Sequence, residues 1–307
     1  MFLLSLWLSK FYYFIKGRKE NSDRCGLLAL KIDNNFLEHV KKPKIVIAIT
    51  GTNGKTTTSN LIVDVLKYNG YRVSSNTEGA NLSPGIAKAL IKCVNVFNKS
   101  KADVAVLEFD ELSTKKILSK IKPDYLIVTN LSQDTMSRNG HTDYVFNRIN
   151  EGIPNNTKLI LNGDDLISSM LGKSNEKIYF GLKSKVYKES LKNPILQDIK
   201  ICPNCYEKLV YDYVFYHHIG KSHCPNCNFH NKDLNYEITK IDLKNKITTE
   251  NILTFKFKAK NNLSVNTYND VVKFVSFEIT EGTIAERSDL NGSLTMKIVK
   301  DEPPVQN

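Results

Sequence analysis

From about residue 43 to residue 183 short apolar runs alternate with longer stretches of mixed apolar and polar residues. Ile45–Ile49 is an unbroken β-branched run and reads as a buried strand; Tyr71–Ser75 is a weaker one. Ala102–Leu107, Tyr125–Thr129, Lys158–Leu161 and Lys177–Phe180 follow at spacings that leave room for a crossover helix each time. The helical periodicity falls on Thr56–Asn69, Pro84–Asn98, Ser113–Ile121, Thr142–Gly152 and Asp164–Leu171. Strands that are apolar throughout and separated by helices predict an α/β fold: a doubly wound parallel sheet covered on both faces.

Near Asn193 the pattern breaks. The stretch Asp198–Asn235 has no periodic apolar face and gathers cysteines, histidines and tyrosines. Beyond it Asn251–Lys260 and Asp270–Ile279 read as strands, and Lys300–Asn307 as a frayed tail. At the other end, the apolar run Met1–Lys10 is too short to span a bilayer, and it lacks the basic start and small-residue cleavage site of a leader. It reads as a helix packed on the domain, with contact to a membrane surface through Phe2, Trp7, Phe11 and Tyr12 as the alternative. The expected divisions are a helical segment 1–42, an α/β domain 43–197, an insertion 198–235 and a remainder 236–307.

Composition adds a basic balance, 43 Lys+Arg against 32 Asp+Glu, for a net charge of +11. Nearly all of it is Lys, whereas nucleic-acid readers lean on Arg, so a solvated basic surface is expected and a nucleic-acid partner is not. Four of the six cysteines form two Cys-x-x-Cys pairs, which in a reducing compartment point to metal rather than disulfides, and the chain is placed in the cytoplasm. Cys25 and Cys93 stand alone and read as small core residues.

Thr50–Thr57 (Thr-Gly-Thr-Asn-Gly-Lys-Thr-Thr) directly follows a buried strand and opens a helix. Glycines let a backbone approach a phosphate closely, and the N–H groups of a helix start present positive potential to it. Gly51, Thr52, Asn53, Gly54, Lys55, Thr56 and Thr57 are therefore the expected ATP-phosphate residues. Lys55 would meet the β- and γ-phosphates and Thr56 would meet Mg²⁺. The loop is a variant, with Ile49 where the general pattern has its first glycine. Glu108, at the carboxyl end of a predicted strand, is the second expected Mg²⁺ ligand. Asp110 and Glu111 either assist it or cap the next helix.

Cys202, Cys205, Cys224 and Cys227 occur in two Cys-Pro-Asn-Cys knuckles with eighteen residues between them, a spacing that places four thiolates around one tetrahedral Zn²⁺. Four thiolates close the site, which makes it structural. His217, His218, His223 and His230 are spare donors nearby, and a ribbon of this type also suits nucleic acid in other contexts.

These residues resemble the Mur ligase family and, within it, the MurT-type ATP-using subunits of lipid II isoglutaminyl synthases. The likeness rests on the phosphate loop, on Asn76–Leu82 as a second loop and on Glu108–Glu111 (Glu-Phe-Asp-Glu) as the acidic segment. Val128–Leu131, Leu161–Asp165, Phe180–Leu182, the cysteine insertion and His218–Gly220 extend it, from near Gly26 to about residue 240. The resemblance implies a Mur-ligase-type P-loop domain with an inserted zinc ribbon. It also implies ATP-dependent amidation of the D-glutamate α-carboxylate of the lipid II stem peptide through an acyl phosphate. Neither Cys25 nor Cys93 lies in a glutaminase elbow, so ammonia would come from a partner glutaminase of GatD type. The family's nucleotide-proximal asparagines would correspond to Asn266 and Asn269, and its location to the cytoplasm, including the inner face of the membrane. The family's C-terminal ligase domain finds no room in 307 residues, which predicts a shortened or diverged chain. The alternatives are another Mur-type amino-acid ligase and a catalytically inactive ATP- and zinc-binding relative.

Overall fold

The computed structural model describes residues 1–17, 23–76, 80–133, 142–182, 198–244, 250–259, 283–290 and 293–299, with side chains up to residue 238. Two compact units emerge: Met1–Leu161 with Met170–Lys177, and Asn162–Ser169 with the described residues from Ile178 on.

The first unit is built on β1 (Ile45–Thr50), β2 (Val73–Ser75), β3 (Val104–Glu108), β4 (Tyr125–Val128) and β5 (Lys158–Asn162), all parallel, in the order β2-β3-β1-β4-β5. Successive residues of a strand point to opposite faces. In β1 every residue from Val46 to Thr50 is buried, and in β3 every residue is, so both faces of this sheet are covered. Each fully buried Ile, Val or Leu contributes about 1.5–3 kcal/mol, and Ile47, Ile49, Val106, Leu107 and Ile127 are all sealed from solvent.

Three segments precede β1: α1 (Phe2–Tyr12), continued by a π turn over Tyr13–Gly17, α2 (Arg24–Ile32) and the short α3 (Phe36–His39). The linking helices are α4 (Lys55–Tyr68), α5 (Ser83–Cys93), α6 (Thr114–Ile121), preceded by a 3₁₀ turn at Glu111–Ser113, and α7 (Thr142–Gly152). α5 is shorter than its apolar period predicts. Val94 turns extended, and the Asn95 side chain accepts from the backbone N–H groups of Phe97 and Lys99, giving the chain a local alternative to the helix.

In the second unit β6 (Lys177–Leu182) runs parallel to β9 (Tyr236–Lys244). β9 is followed by antiparallel pairings to β10 (Glu250–Ala259), β12 (Ser293–Val299) and β11 (Thr283–Leu290). β11 and β12 lie where the apolar pattern predicts no strand, and the strand expected at Asp270–Ile279 falls outside the described residues. The helix expected over Asp164–Leu171 is one turn, α8 (Leu166–Ser169). The cysteine-rich stretch holds a hairpin of β7 (Val210–Tyr216) and β8 (Ile219–His223), which the sequence pattern does not reveal. No helix among the described residues is long and apolar enough to cross a membrane.

Candidate functional site

The strand order of the first unit reverses at β1, which has β3 on one side and β4 on the other. In open α/β sheets ligands bind outside the carboxyl ends of the strands at such a reversal. Register brings the three strand ends level, with Ile49 beside Glu108 and Thr50 beside Val128.

The loop Gly51–Gly54 leaves β1 here. Gly51 has φ +133°, and a Cβ there would stand 2.1 Å from Thr129 Oγ1, so neither conformation nor space admits a side chain. Gly54 sits in the left-handed region at φ +78° with open space above it, so its constraint is conformational. The end of β4 braces the loop. Thr52 N–H donates to the Asn130 carbonyl at 2.8 Å, Asn53 N–H donates to Asn130 Oδ1 at 3.2 Å, and the Thr129 hydroxyl donates to the Asn53 carbonyl at 2.7 Å. Thr52 Oγ1 donates to the Ser132 carbonyl and accepts from Ser132 N–H, both at 3.0 Å. The start of α4 leaves first-turn N–H groups without partners in the helix, aimed where an anion is stabilised.

Lys55 opens α4 with its ammonium folded back over the loop. It donates to the Gly51 and Thr52 carbonyls and lies 2.7 Å from Glu111 Oε1, with little of either side chain exposed. Burial pushes the Glu111 carboxyl up, against the pull of the Lys55 charge. Of the two acidic residues expected to assist or cap, Asp110 caps, accepting from Ser113 N–H at 3.3 Å, and Glu111 pairs with the loop lysine. Thr56 is exposed on the first turn of α4 and Thr57 is half-buried.

Glu108 is almost wholly buried, and its Oε2 has no hydrogen-bond partner among the described residues. A sealed carboxylate oxygen without a donor is costly unless a cation meets it, so Glu108 fits a divalent metal ion. Its backbone is clamped by Asn76, whose amide accepts from Glu108 N–H and donates to Glu108 C=O, both at 2.8 Å, and donates to Ala80 C=O at 2.9 Å. The sequence pattern marks Asn76 only as the start of a loop, and it marks Thr129 and Asn130 only as a strand end. Their roles come from pairings 32 and 76–77 residues apart in the chain, which local pattern cannot show.

In the second unit the sulfur atoms of Cys202, Cys205, Cys224 and Cys227 all lie within 4.8 Å of one another. The shortest separations are 3.4, 3.5 and 3.6 Å. Four thiolates at tetrahedral Zn²⁺ stand about 3.8 Å apart, so this cluster fits that ion. Within the first knuckle Asn204 N–H points at Cys202 Sγ, 3.4 Å away, and Cys202 N–H donates to the Glu207 carbonyl at 2.7 Å.

The histidines lie elsewhere. His217 stacks on Tyr216, His223 faces Asp212 at 3.3 Å, and His230 Nδ1 meets the Asn231 carbonyl. His218 is completely buried, with Nε2 2.9 Å from Asp165 Oδ1 and Nδ1 3.1 Å from Asp198 Oδ2, the latter off the hydrogen-bond direction. Burial opposes its charge, but the hydrogen bond and charge of Asp165, joined by the nearby charge of Asp198, outweigh it and raise the pKa to about 9. His218 thus ties the hairpin turn to the segment after β5. Gly220 N–H donating to Asp164 C=O, at 2.9 Å, and Asn231 Nδ2 donating to Gly163 C=O, at 2.8 Å, add to the same junction. Asn266 and Asn269 lie outside the described residues, as do residues 77–79 of the second loop.

A glycine-rich loop ending in Lys55 at the reversal of a parallel sheet, an acidic strand end beside it and a four-cysteine cluster in the second unit place the chain among α/β proteins with a P-loop-type strand–loop–helix. The profile of the Mur ligase middle domain matches residues 49–205, half of the chain, and the chain belongs to the Mur ligase family. It is 36% identical over 228 residues to the MurT subunit of the glutamine-hydrolyzing lipid II isoglutaminyl synthase of Staphylococcus aureus (strain COL), covering 73% of this chain and 51% of that protein. To the same subunit of Streptococcus pneumoniae (strain ATCC BAA-255 / R6) it is 32% identical over 242 residues, covering 78% and 53%. The chain spans about half the length of the curated relatives it matches. A solved pseudomurein peptide ligase type C from Methanothermus fervidus shares the fold, with a TM-score of 0.54 at 24% identity over 79% of this chain and 48% of that one.

Proposed function

We propose that this chain is the nucleotide-binding part of an ATP-dependent carbon–nitrogen ligase that amidates the D-glutamate α-carboxylate of the lipid II stem peptide. The single observation that carries the reading is the convergence of the Gly51–Thr57 loop and Glu108 at one strand reversal, within the stretch that matches the Mur ligase middle domain, in a chain 36% identical to a MurT subunit over 228 residues.

The loop N–H groups and the start of α4 would hold the ATP phosphates, and Lys55 would leave Glu111 to meet the β- and γ-phosphates. Thr56 and Glu108 would hold Mg²⁺, which when bound neutralises phosphate charge. A carboxylate oxygen of the acceptor attacks the γ-phosphorus, ADP leaves, and an acyl phosphate results. Ammonia then attacks the acyl carbon and inorganic phosphate departs. The ammonia would come from a glutaminase subunit of GatD type, as neither Cys25 nor Cys93, both buried, offers an accessible nucleophile. Zn²⁺ on the four cysteines would be structural. Asn266 and Asn269 would approach the nucleotide. The setting is the cytoplasm, where lipid II precursors present their stem peptide at the inner membrane face.

Calorimetry with Mg-ATP tests the nucleotide site: Lys55→Ala should bind far more weakly while keeping its far-UV spectrum, and equal affinity would sink the reading. Mixing the chain with a cognate glutaminase, glutamine and lipid II, with and without the C-terminal domain of a full-length relative, tests the acceptor by the mass of the product. ATP turnover and amidation that appear on adding that domain support the assignment. Amidation absent under both conditions despite ATP binding would refute it.

A further inference from the structure

The exposed large apolar side chains of the described residues are concentrated at the N-terminus. Leu4, Trp7, Leu8, Phe11, Phe14 and Ile15 recur at intervals of three and four residues along α1 and its π turn, so they form one stripe. The opposite face is the packed one: Leu6 is fully buried, and Ser5 Oγ donates to Ala29 C=O at 2.9 Å. Exposure is substantial, 51% at Trp7, 64% at Phe11 and 66% at Phe14.

α1 and its π turn are tied to the last turn of α5 and the segment after it. Trp7 Nε1 donates to Val96 C=O at 2.8 Å, Lys10 Nζ donates to the carbonyls of Ile91 and Val94, and Lys92 lies over the Tyr13 ring at 5.5 Å. That segment adds Phe97, 75% exposed, to the same apolar surface. It also adds charge of one sign. Residues 1–17 and 91–101 together hold five lysines and no Asp or Glu. Lys16, Lys92, Lys99 and Lys101 are exposed, and Lys10 is engaged with carbonyls.

We propose that this face, α1 with the Val94–Lys101 loop, docks on the surface of an anionic lipid bilayer, with the helix lying in the plane of the interface. An aromatic and aliphatic stripe rimmed by lysines is the composition that partitions into the headgroup boundary, where acyl chains take the apolar side chains and anionic headgroups take the ammonium groups. An eleven-residue helix spans about 16 Å, half a hydrocarbon core, so it lies on the membrane rather than across it. A protein partner fits less well. The stripe itself is wholly aliphatic and aromatic with the Trp7 N–H already engaged, and the exposed charges at its rim are all of one sign, which suits acyl chains bordered by anionic headgroups better than the mixed polar rim of a protein interface. The inference stands apart from the ligase reading, since docking needs neither nucleotide nor acceptor.

Trp7 is the single tryptophan of the chain, so its emission reports this face alone. The full chain is titrated with vesicles of phosphatidylglycerol and phosphatidylcholine in equal parts, and with phosphatidylcholine vesicles. The expected result is a blue shift and co-sedimentation with the anionic vesicles, reversed by high salt. Phe11→Glu should lower partitioning about tenfold or more, and the double variant Lys99→Glu/Lys101→Glu should lower it on the order of tenfold. The second variant lies wholly on the surface, so it keeps the test valid if Phe11→Glu misfolds. Unchanged Trp7 emission with the chain left in the supernatant overturns the proposal. So does a blue shift that grows with protein concentration without lipid while sedimentation reports a dimer, which would make the face a contact between copies.

Discussion

The Lys55 ammonium and the Glu111 carboxylate stand 2.7 Å apart with little water around either, so the residue expected to grip a nucleotide phosphate is held by an internal anion. A triphosphate arriving at the loop competes with that anion and is repelled by it. Glu111→Gln removes the charge and keeps the shape. Because burial raises the Glu111 pKa even beside Lys55, its ionised form is a net cost to folding, so we expect the variant to melt no earlier than the parent, and to gain more stabilisation from Mg-ATP than the parent does. Paired melts with and without nucleotide decide it: a smaller nucleotide increment in the variant would mean that Glu111 organises the lysine for ATP instead of opposing it.

Asn76 supplies three hydrogen bonds from one buried amide, two of them to the backbone of Glu108. Asn76→Ala strands the Glu108 N–H and C=O inside the protein at about 1–3 kcal/mol each, so a loss of about 3 kcal/mol in urea unfolding is expected. The strand end carrying Glu108 would also lose its alignment, so the Mg²⁺ dependence of ATP binding should weaken more than ATP binding measured without metal. A variant as stable as the parent would remove Asn76 from the account.

The cysteine cluster yields a metal prediction. Purified chain should carry about one zinc per molecule, and Cys224→Ser should release it and make residues 198–235 the first target of limited proteolysis. A small hairpin with few buried apolar groups, Leu209 and Val214 among them, has little else to hold it. Zinc-free protein from zinc-replete growth, with that segment still resistant, would count against a metal role.

What the sequence discloses and what it hides divide along a physical line. β1 and β3 are legible because burial on both faces demands an uninterrupted apolar run, and the loop after β1 is legible because its chemistry is contiguous. The four cysteines are legible because a tetrahedral thiolate site constrains spacing. β7 and β8 are hidden because their residues alternate between solvent and a thin interior, with tyrosines, an aspartate and a lysine among them. The bond of Lys55 to Glu111 and the clamp of Asn76 on Glu108 are hidden for another reason. Each joins residues from different strand ends, and only the sheet order β2-β3-β1-β4 makes them neighbours.

The junction of the hairpin with the segment after β5 responds to pH. His218 is buried against Asp165 and Asp198, and its pKa is raised to about 9, above the unfolded value of 6.5. A raised pKa means that the folded state holds the proton more tightly. The stabilisation is therefore complete below about pH 6.5 and is lost as pH rises through about 9, a total of about 3 kcal/mol. Asp164, raised to about 7 chiefly by burial and then drawn down by its bond to Leu182 N–H, works in the same direction at lower pH. Its contribution falls between about pH 4 and pH 7. The histidine is therefore isolated by comparing the zinc-saturated parent with His218→Gln between pH 7 and 9.5. The parent should lose stability across that window, and the variant, weaker at pH 7 because Asp165 and Asp198 are left facing each other without a cation, should change little. Denaturant unfolding at each pH gives the two curves. Parallel curves would show that His218 is neutral in the folded chain and that the junction is held by the Gly220 and Asn231 hydrogen bonds instead.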